Sequence, residues 1–193
     1  MYKRQVVTHS ENLEPENRDL LKSCLARVNG IAENLLERRR EQLSQIADNH
    51  GDFQVSSLAS EFELVARQNL IHFDAHTVDI QLPSEIRQKF LRTLSNILSN
   101  SLKAVRKVES PKISLKMWEE RDRYHVLITD NGVGMSNEQL VALRAGKFGS
   151  EENEGNGIGL RTAYDFINSV QGEMQMNSQT SQGTTTQLSI PRS

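Results

Sequence analysis

The segment Asp130-Asn131-Gly132-Val133-Gly134-Met135 carries residue types that can bind a ligand through both side chain and backbone. It follows residues 124–129, an apolar run that predicts a buried strand. The carboxylate of Asp130 can accept a hydrogen bond from an amino group, and glycine at 132 and 134 lets the backbone approach a ligand that a Cβ would block. A tight turn after a strand has a similar composition, so this segment alone leaves both interpretations open.

A second candidate is the pair Asn96 and Asn100, which lie four residues apart on one face of a helix predicted over 84–107. Asparagine is a poor helix former, so the pair is either tolerated at the surface or forms a polar patch that faces a ligand. Amide oxygens suit a hard cation, and Lys103 shares the same face. A cation ligand beside an ammonium group indicates a polyphosphate.

The third candidate is the glycine-rich segment Gly155-Asn156-Gly157-Ile158-Gly159-Leu160, which leads directly into a predicted helix. Free N–H groups and the positive end of a helix dipole favour phosphate at such a position. Its spacing is not the dinucleotide-binding fingerprint, so the signal is weak by itself. The preceding residues 146–156 are small, polar and charged, with Phe148 as their only large apolar residue, and predict a mobile flap.

Alternating and helical apolar patterns predict the elements that would position these residues. A short strand is predicted at 53–55, then a helix with Ser57 as its N-cap, and a strand, turn and strand over 71–82. After the helix at 84–107 come strands at 113–117 and 124–129, helices at 136–145 and from 160 to 170, and strands at 173–177 and 184–190.

Residues 16–47 contain no proline and predict one long helix, whose apolar residues recur at steps of three and four. Such a helix cannot bury its stripe alone, so it packs on its own domain or on another chain. A second chain is favoured because a predicted linker at 48–56 separates the helix from the rest. The expected organisation is a lead-in at 1–15, this helix, the linker, and a domain at 57–193.

Composition narrows the class of protein. The 193 residues carry a net charge of −2, which argues against nucleic acid as a partner. The single cysteine, Cys24, excludes an internal disulfide and a cysteine metal cluster, and fits a cytoplasmic location. No apolar run approaches the roughly 18 residues that span a bilayer, so no membrane contact by this segment is expected. The cytoplasmic part of a larger membrane-bound sensor stays open.

The order of the asparagine helix, the Asp130 loop, the glycine-opened helix and Gly183-Thr184-Thr185 at the last strand resembles one superfamily. It is the ATP-binding domain of gyrases, heat-shock chaperones, histidine kinases and mismatch-repair ATPases, and the resemblance covers about residues 53–191. The spacing Asn-x-x-x-Asn-x-x-Lys and the upstream helix look most like a sensor histidine kinase. The implied fold is α+β: a two-layer α/β sandwich with a mixed, mainly antiparallel sheet covered on one face by helices, preceded by a long helix.

The resemblance implies a role for each candidate residue. Asp130 would accept the adenine amino group, Gly134 would let the base lie against backbone, and Thr185 would sit near the adenine edge. Asn100 would give its oxygen to Mg²⁺, Asn96 would lie beside it, and Lys103 would contact phosphate. The remaining residues expected to bind nucleotide are Gly132, Met135, the lid aromatic Phe148, the phosphate-cradling Gly155, Gly157 and Gly159, and their neighbours Ile158 and Leu160.

The implied reaction is transfer of the ATP γ-phosphoryl group to a histidine, for relay to an aspartate of a response-regulator receiver domain. The acceptor histidine is expected upstream of residue 16, since His9 lacks the matching context, and residues 16–47 would form a homodimer. A non-kinase ATPase of the superfamily is disfavoured because residues 92–99 contain no acid to activate water. A dimeric module that has lost nucleotide binding draws support from Ala104, where the family often has an aromatic residue.

Overall fold

The computed structural model describes residues 54–146 and 158–192. In chain order its elements are α1 (Val55–Gln68), β1 (His72–His76), α2 (Ser84–Ala104) with a 3-10 turn (Val105–Lys107), β2 (Lys112–Glu120), β3 (Arg123–Asp130), α3 (Asn137–Arg144), α4 (Ile158–Ser169), β4 (Glu173–Gln179) and β5 (Gly183–Pro191). The predicted lead-in, the long helix at 16–47, most of the linker, and Phe148, Gly155 and Gly157 lie outside the described residues.

The five strands form one sheet in the order β1-β2-β3-β5-β4. β1 pairs with β2 in parallel, and the other three pairs are antiparallel. The central strand is β3, and its last residue, Asp130, lies opposite Ile113 of β2 and Thr184 of β5. Because directly opposite residues point to the same face, the side chains of Asp130 and Thr184 share one side of the sheet.

Helices cover one face of this sheet, as the burial of β3 shows. Tyr124, Val126 and Ile128 are buried, whereas the residues between them are half-buried on the other face. α2 packs on β3 and β5, α4 packs on α2 and β4, and α1 packs on β1 and α2. The predicted fold class, a mixed and mainly antiparallel sheet under one layer of helices, is confirmed.

The second strand predicted within 71–82 is wrong. Residues 77–83 are irregular, although Ile80 and Leu82 are buried in the core. The backbone N–H of Gln81 donates to the hydroxyl of Tyr124 at 2.9 Å. Apolar residues therefore alternate here because a loop lies over the core and presents every second side chain to it, without forming ladder hydrogen bonds to a neighbouring strand.

The short strand predicted at 53–55 is also wrong where the structure describes it. Val55 is the first residue of α1 and is fully buried, and Gln54 occupies the N-cap position with extended backbone angles. The helix thus begins two residues before the predicted cap Ser57, because Val55 belongs to the same apolar stripe as Leu58, Phe62 and Ala66. None of the described helices combines the length and apolar character needed to cross a bilayer.

Candidate functional site

The carboxylate of Asp130 lies at the end of β3, beneath α2, with 5% of the residue exposed. Its Oδ2 accepts a hydrogen bond from the Ser101 hydroxyl of α2 at 2.9 Å. Its Oδ1 accepts from the backbone N–H of Gly132 at 2.9 Å and of Thr184 at 3.3 Å. One side chain therefore joins the asparagine-bearing helix, the glycine loop and the last strand.

The hydrogen bonds on Asp130 leave one acceptor position open. An ionised carboxylate offers about four lone-pair sites on two oxygens. Among the residues that the structure describes, the two N–H donors bind Oδ1 and the Ser101 hydroxyl alone binds Oδ2, so Oδ2 can accept one more donor. Burial raises the pKa of Asp130 above its ordinary value, and the three hydrogen bonds oppose that rise by favouring the charged form.

The two glycines of the loop allow close approach to neighbouring protein backbone. A Cβ added to Gly132 would lie 2.6 Å from the Cβ of Ala104, at the end of α2. Gly134 has φ +64°, and its added Cβ would lie 2.0 Å from the carbonyl oxygen of Gln179 in β4. Each glycine thus has a packing requirement, and the approach of an adenine ring to Gly134 stays a prediction.

Asn131 fastens the start of the loop to the sheet. Its Oδ1 accepts from the backbone N–H of Lys112 at 2.7 Å, and its Nδ2 donates to the carbonyl of Ser110 at 2.8 Å. The backbone N–H of Asn131 also donates to the carbonyl of Lys112 at 3.2 Å. Because both polar atoms of its side-chain amide are bonded to the protein, we assign Asn131 to holding the loop and not to binding a ligand.

Ser178 of β4 fastens the other end of the loop. Its hydroxyl oxygen accepts from the backbone N–H of Met135 at 2.8 Å, and its O–H donates to the carbonyl of Gly183 at 2.9 Å. It also lies 2.9 Å from the hydroxyl of Thr184. The loop is therefore bonded to β2 at one end and to the β4–β5 hairpin at the other.

The asparagine face of α2 reaches the start of α4. Asn96 is buried, and its Nδ2 donates to the carbonyl of Gly159 at 3.1 Å. Asn100 and Lys103 are exposed on the same helix. Because Ser101 follows Asn100 directly, α2 carries the predicted metal ligand one residue from the hydrogen-bond donor to Asp130. The structure thus brings Asn96 together with Gly159, whereas the contacts of Asn100 with metal and of Lys103 with phosphate stay predictions.

Two predicted residues at the start of α4 are only partly described. Ile158 is the first residue of the helix. Gly159 and Leu160 are half-buried in the first turn. Their predicted contact with phosphate stays a prediction, as does that of Phe148, Gly155 and Gly157, which lie outside the described residues.

Thr185 lies on the opposite face of the sheet from the Asp130 carboxylate. It pairs with Thr129, and their hydroxyl oxygens are 3.5 Å apart. Thr184 is the residue that shares the face of Asp130 and contacts it through its backbone N–H. A shift of one residue along a strand reverses the face, so Thr185 does not share the face of Asp130, and its predicted place near the adenine edge stays a prediction.

Sequence reasoning missed Ser101, Thr184, Ser178 and the bridging role of Asn131. A signal for Ser101 was available, because it lies four residues after Ile97 and seven after Leu94 on the buried stripe of α2. A hydroxyl at such a position needs a hydrogen-bond partner. The hydrogen-bond partners of Thr184, Ser178 and Asn131 depend on strand register, which cannot be read from a local sequence pattern.

The family described as histidine kinase-, DNA gyrase B- and HSP90-like ATPase matches residues 85–193. This is more than half of the chain, and the chain belongs to that family. The resemblance drawn from the four motifs is confirmed, since the relatives below are sensor kinases.

Two bacterial relatives carry the names of a sensor protein and of a sporulation kinase. The sensor protein DegM of Bacillus sp. strain B21-2 is 27% identical over 176 residues, which cover 91% of this chain and 46% of that protein. Sporulation kinase B of Bacillus subtilis strain 168 is 26% identical over 197 residues, covering 97% and 44%. The chain therefore spans about half the length of these relatives.

Solved structures share the fold. The histidine kinase domain of the Erythrobacter litoralis EL346 blue-light activated histidine kinase superposes with a TM-score of 0.58 at 17% identity, covering 97% of this chain and 93% of that one. The mycobacterial sensor histidine kinase MprB superposes with a TM-score of 0.55 at 19% identity, covering 72% and 95%. At these identities the likeness concerns the fold alone.

Proposed function

We propose that this chain binds ATP and Mg²⁺ and forms the catalytic part of a two-component sensor histidine kinase. It would transfer the ATP γ-phosphoryl group to a histidine, for relay to an aspartate of a response-regulator receiver domain. The observation that carries the proposal is the buried carboxylate of Asp130, which is bonded to α2 through Ser101 and retains one acceptor position for a ligand. Membership of the ATPase family and the sensor-kinase names of its relatives support it.

The open position on Oδ2 suits the exocyclic amino group of adenine. An amino group donates, and a carboxylate that already receives three donors within the protein is ready to accept a fourth. Guanine carries a carbonyl oxygen at the equivalent ring position, where two acceptors would face each other. Thr184, rather than Thr185, is the residue of the last strand that we assign beside the base.

The residues on α2 and α4 fit a metal–phosphate group. Asn100 is exposed, so its amide oxygen is available to a hard cation, and Lys103 on the same helix offers an ammonium group. The N-terminal turn of α4 offers backbone N–H groups to phosphate. A bound Mg²⁺ would neutralise phosphate charge, and catalysis of phosphoryl transfer depends mainly on such neutralisation and on positioning.

Ala104 stands where the family often has an aromatic residue, but this difference does not require that nucleotide binding has been lost. Gly132 packs directly against Ala104, and the N–H of Val133 donates to the Ala104 carbonyl at 3.1 Å. A small residue at 104 thus accommodates the glycine loop at close range. The fastened loop and the open acceptor on Asp130 favour a working site over a module that has lost nucleotide binding.

The remaining parts of the proposal concern the domain organisation, the location and the partners of the chain. Residues 16–47 would form a homodimer through their apolar stripe, with the catalytic domain at 57–193 and both in the cytoplasm. We expect no contact of this segment with nucleic acid or membrane.

The test is calorimetric titration of ATP into the chain with and without Mg²⁺. Wild type is expected to bind ATP more tightly when Mg²⁺ is present. Asn100→Ala should lose this Mg²⁺ dependence and change the affinity without metal little, because the amide oxygen is assigned to the cation. Asn177→Ala, an exposed asparagine on β4, is the matched control. A persistent Mg²⁺ dependence in Asn100→Ala would show that the metal assignment is wrong, and a wild type that binds no ATP would refute the function.

A further inference from the structure

Ser101 is a buried hydroxyl at a core position of α2. The residue is 4% exposed, and its Oγ lies 2.9 Å from Oδ2 of Asp130, across 29 residues of sequence. Its neighbours one and two turns earlier on the helix, Ile97 and Leu94, are buried apolar residues. A polar group in such surroundings is costly unless it is bonded, and the carboxylate is the partner that satisfies it.

The hydrogen bond from Ser101 determines which direction of the carboxylate remains open. Oδ1 is occupied by the N–H groups of Gly132 and Thr184, so a ligand donor must share Oδ2 with Ser101. A carboxylate oxygen has two lone-pair directions in its plane. With the hydroxyl on one of them, a single direction is left for the ligand.

The same hydrogen bond favours the ionised form of the carboxyl group. Burial raises the pKa of Asp130, and the Ser101 hydroxyl is among the groups that lower it. Two lysines lie on the elements next to Asp130, Lys103 on α2 and Lys112 on β2, and both are exposed. A protonated carboxyl group could donate a hydrogen bond and so could accept a carbonyl-bearing base.

We propose that Ser101 is a positioning residue that makes the site selective for adenine over guanine, by holding Oδ2 of Asp130 as an acceptor in one fixed direction. This inference rests on the proposed function, because it assigns ATP to the site. Adenine presents an amino donor to that direction, whereas guanine presents a carbonyl. Sites that use a fixed polar group in this way reject the mismatched ligand because buried polar groups are then left unpaired.

The test compares the dissociation constants of ATP and GTP, each with Mg²⁺, for the full chain and its Ser101→Ala variant. Losing one hydrogen bond to a charged group should lower the ratio of the GTP to the ATP constant by about tenfold or more. Ser95→Ala removes another buried serine of the same helix and should leave the ratio within about twofold of wild type.

Ser101→Cys is the second variant, because it keeps the side-chain size and supplies only a weak donor. It should lower the ratio too, and it decides the matter if the alanine variant does not fold. A lower melting temperature with an unchanged ratio in either folded variant would overturn the inference, because the serine would then act on stability alone. Absence of ATP binding by wild type would instead refute the proposed function, and this inference with it.

Discussion

Replacing Asp130 by asparagine separates the hydrogen bonds that this residue makes within the protein from its proposed role as acceptor for adenine. The asparagine Oδ1 can still accept from the N–H groups of Gly132 and Thr184, and the Ser101 hydroxyl can rotate and accept from the new amide nitrogen. The internal hydrogen bonds therefore persist. The open position changes from an acceptor to a donor, so the adenine amino group meets another donor.

The expected loss of ATP affinity follows from the charge and burial of this side chain. A hydrogen bond to a charged group contributes about 1.5–3 kcal/mol, and an unsatisfied buried donor costs about 1–3 kcal/mol more. A total of about 3 kcal/mol or more corresponds to binding at least about a hundredfold weaker. Calorimetric titration of ATP with Mg²⁺ should therefore detect little or no binding by Asp130→Asn.

The stability of the same variant should change in the opposite direction. The pKa of Asp130 is raised in the folded state, so the folded protein binds more protons than the unfolded chain between the unfolded and folded pKa values. The contribution of this group to the free energy of unfolding is therefore lost as pH rises through the folded pKa. Above that pKa the folded protein bears the full cost of a buried charge. Asparagine has no such cost, so Asp130→Asn should melt at or above the wild-type temperature at pH 7.

Thermal unfolding without nucleotide, measured at pH 7 and near pH 4, tests the predicted direction of the stability change. The advantage of the variant should shrink at the lower pH, because a larger fraction of the wild-type carboxyl groups is then protonated and free of the cost of a buried charge. An affinity within about threefold of wild type would contradict the adenine role. Weak binding together with a markedly lower melting temperature at pH 7 would mean that the residue acts through structure.

Two further predictions concern the loop and the upstream residues. Gly134→Ala should destabilise the fold by about 1–3 kcal/mol and weaken ATP binding, because φ is +64° and the new Cβ would meet the Gln179 carbonyl. Thermal unfolding measures the change in stability. Gly146→Ala is the control, because Gly146 also has a positive φ but has open space around it. Removing residues 1–47 should convert a dimer to a monomer in sedimentation, and a dimer that persists would show that the helix predicted at 16–47 is not the interface.

The residues that could be predicted from the sequence are those whose signal is local. Asp130 and its glycines stand next to each other, and Asn96 and Asn100 repeat at helical spacing, so each group could be recognised within a few residues. The sheet strands followed from alternation, because one face is buried by helices. The same rule failed at Ile80 and Leu82, since a loop can bury alternate side chains without strand pairing.

What could not be predicted depends on contacts between distant segments. Whether Thr184 or Thr185 faces Asp130 is decided by the register of β3 against β5, and a shift of one residue reverses it. The partner of the Ser101 hydroxyl is 29 residues away, in another element. The need for Gly132 arises from the end of α2, where Ala104 leaves no space for a Cβ.

The fastening of the Asp130 loop bears on the entropy of nucleotide binding. Asn131 and Ser178 hold the two ends of the loop, and the carboxylate itself is held by three donors, before any ligand arrives. Ordering a loop or a side chain on binding lowers affinity, and a preorganised site avoids that loss. The side of the domain that we propose to bind the base is thus preorganised during folding, so association with the base would not need to immobilise it.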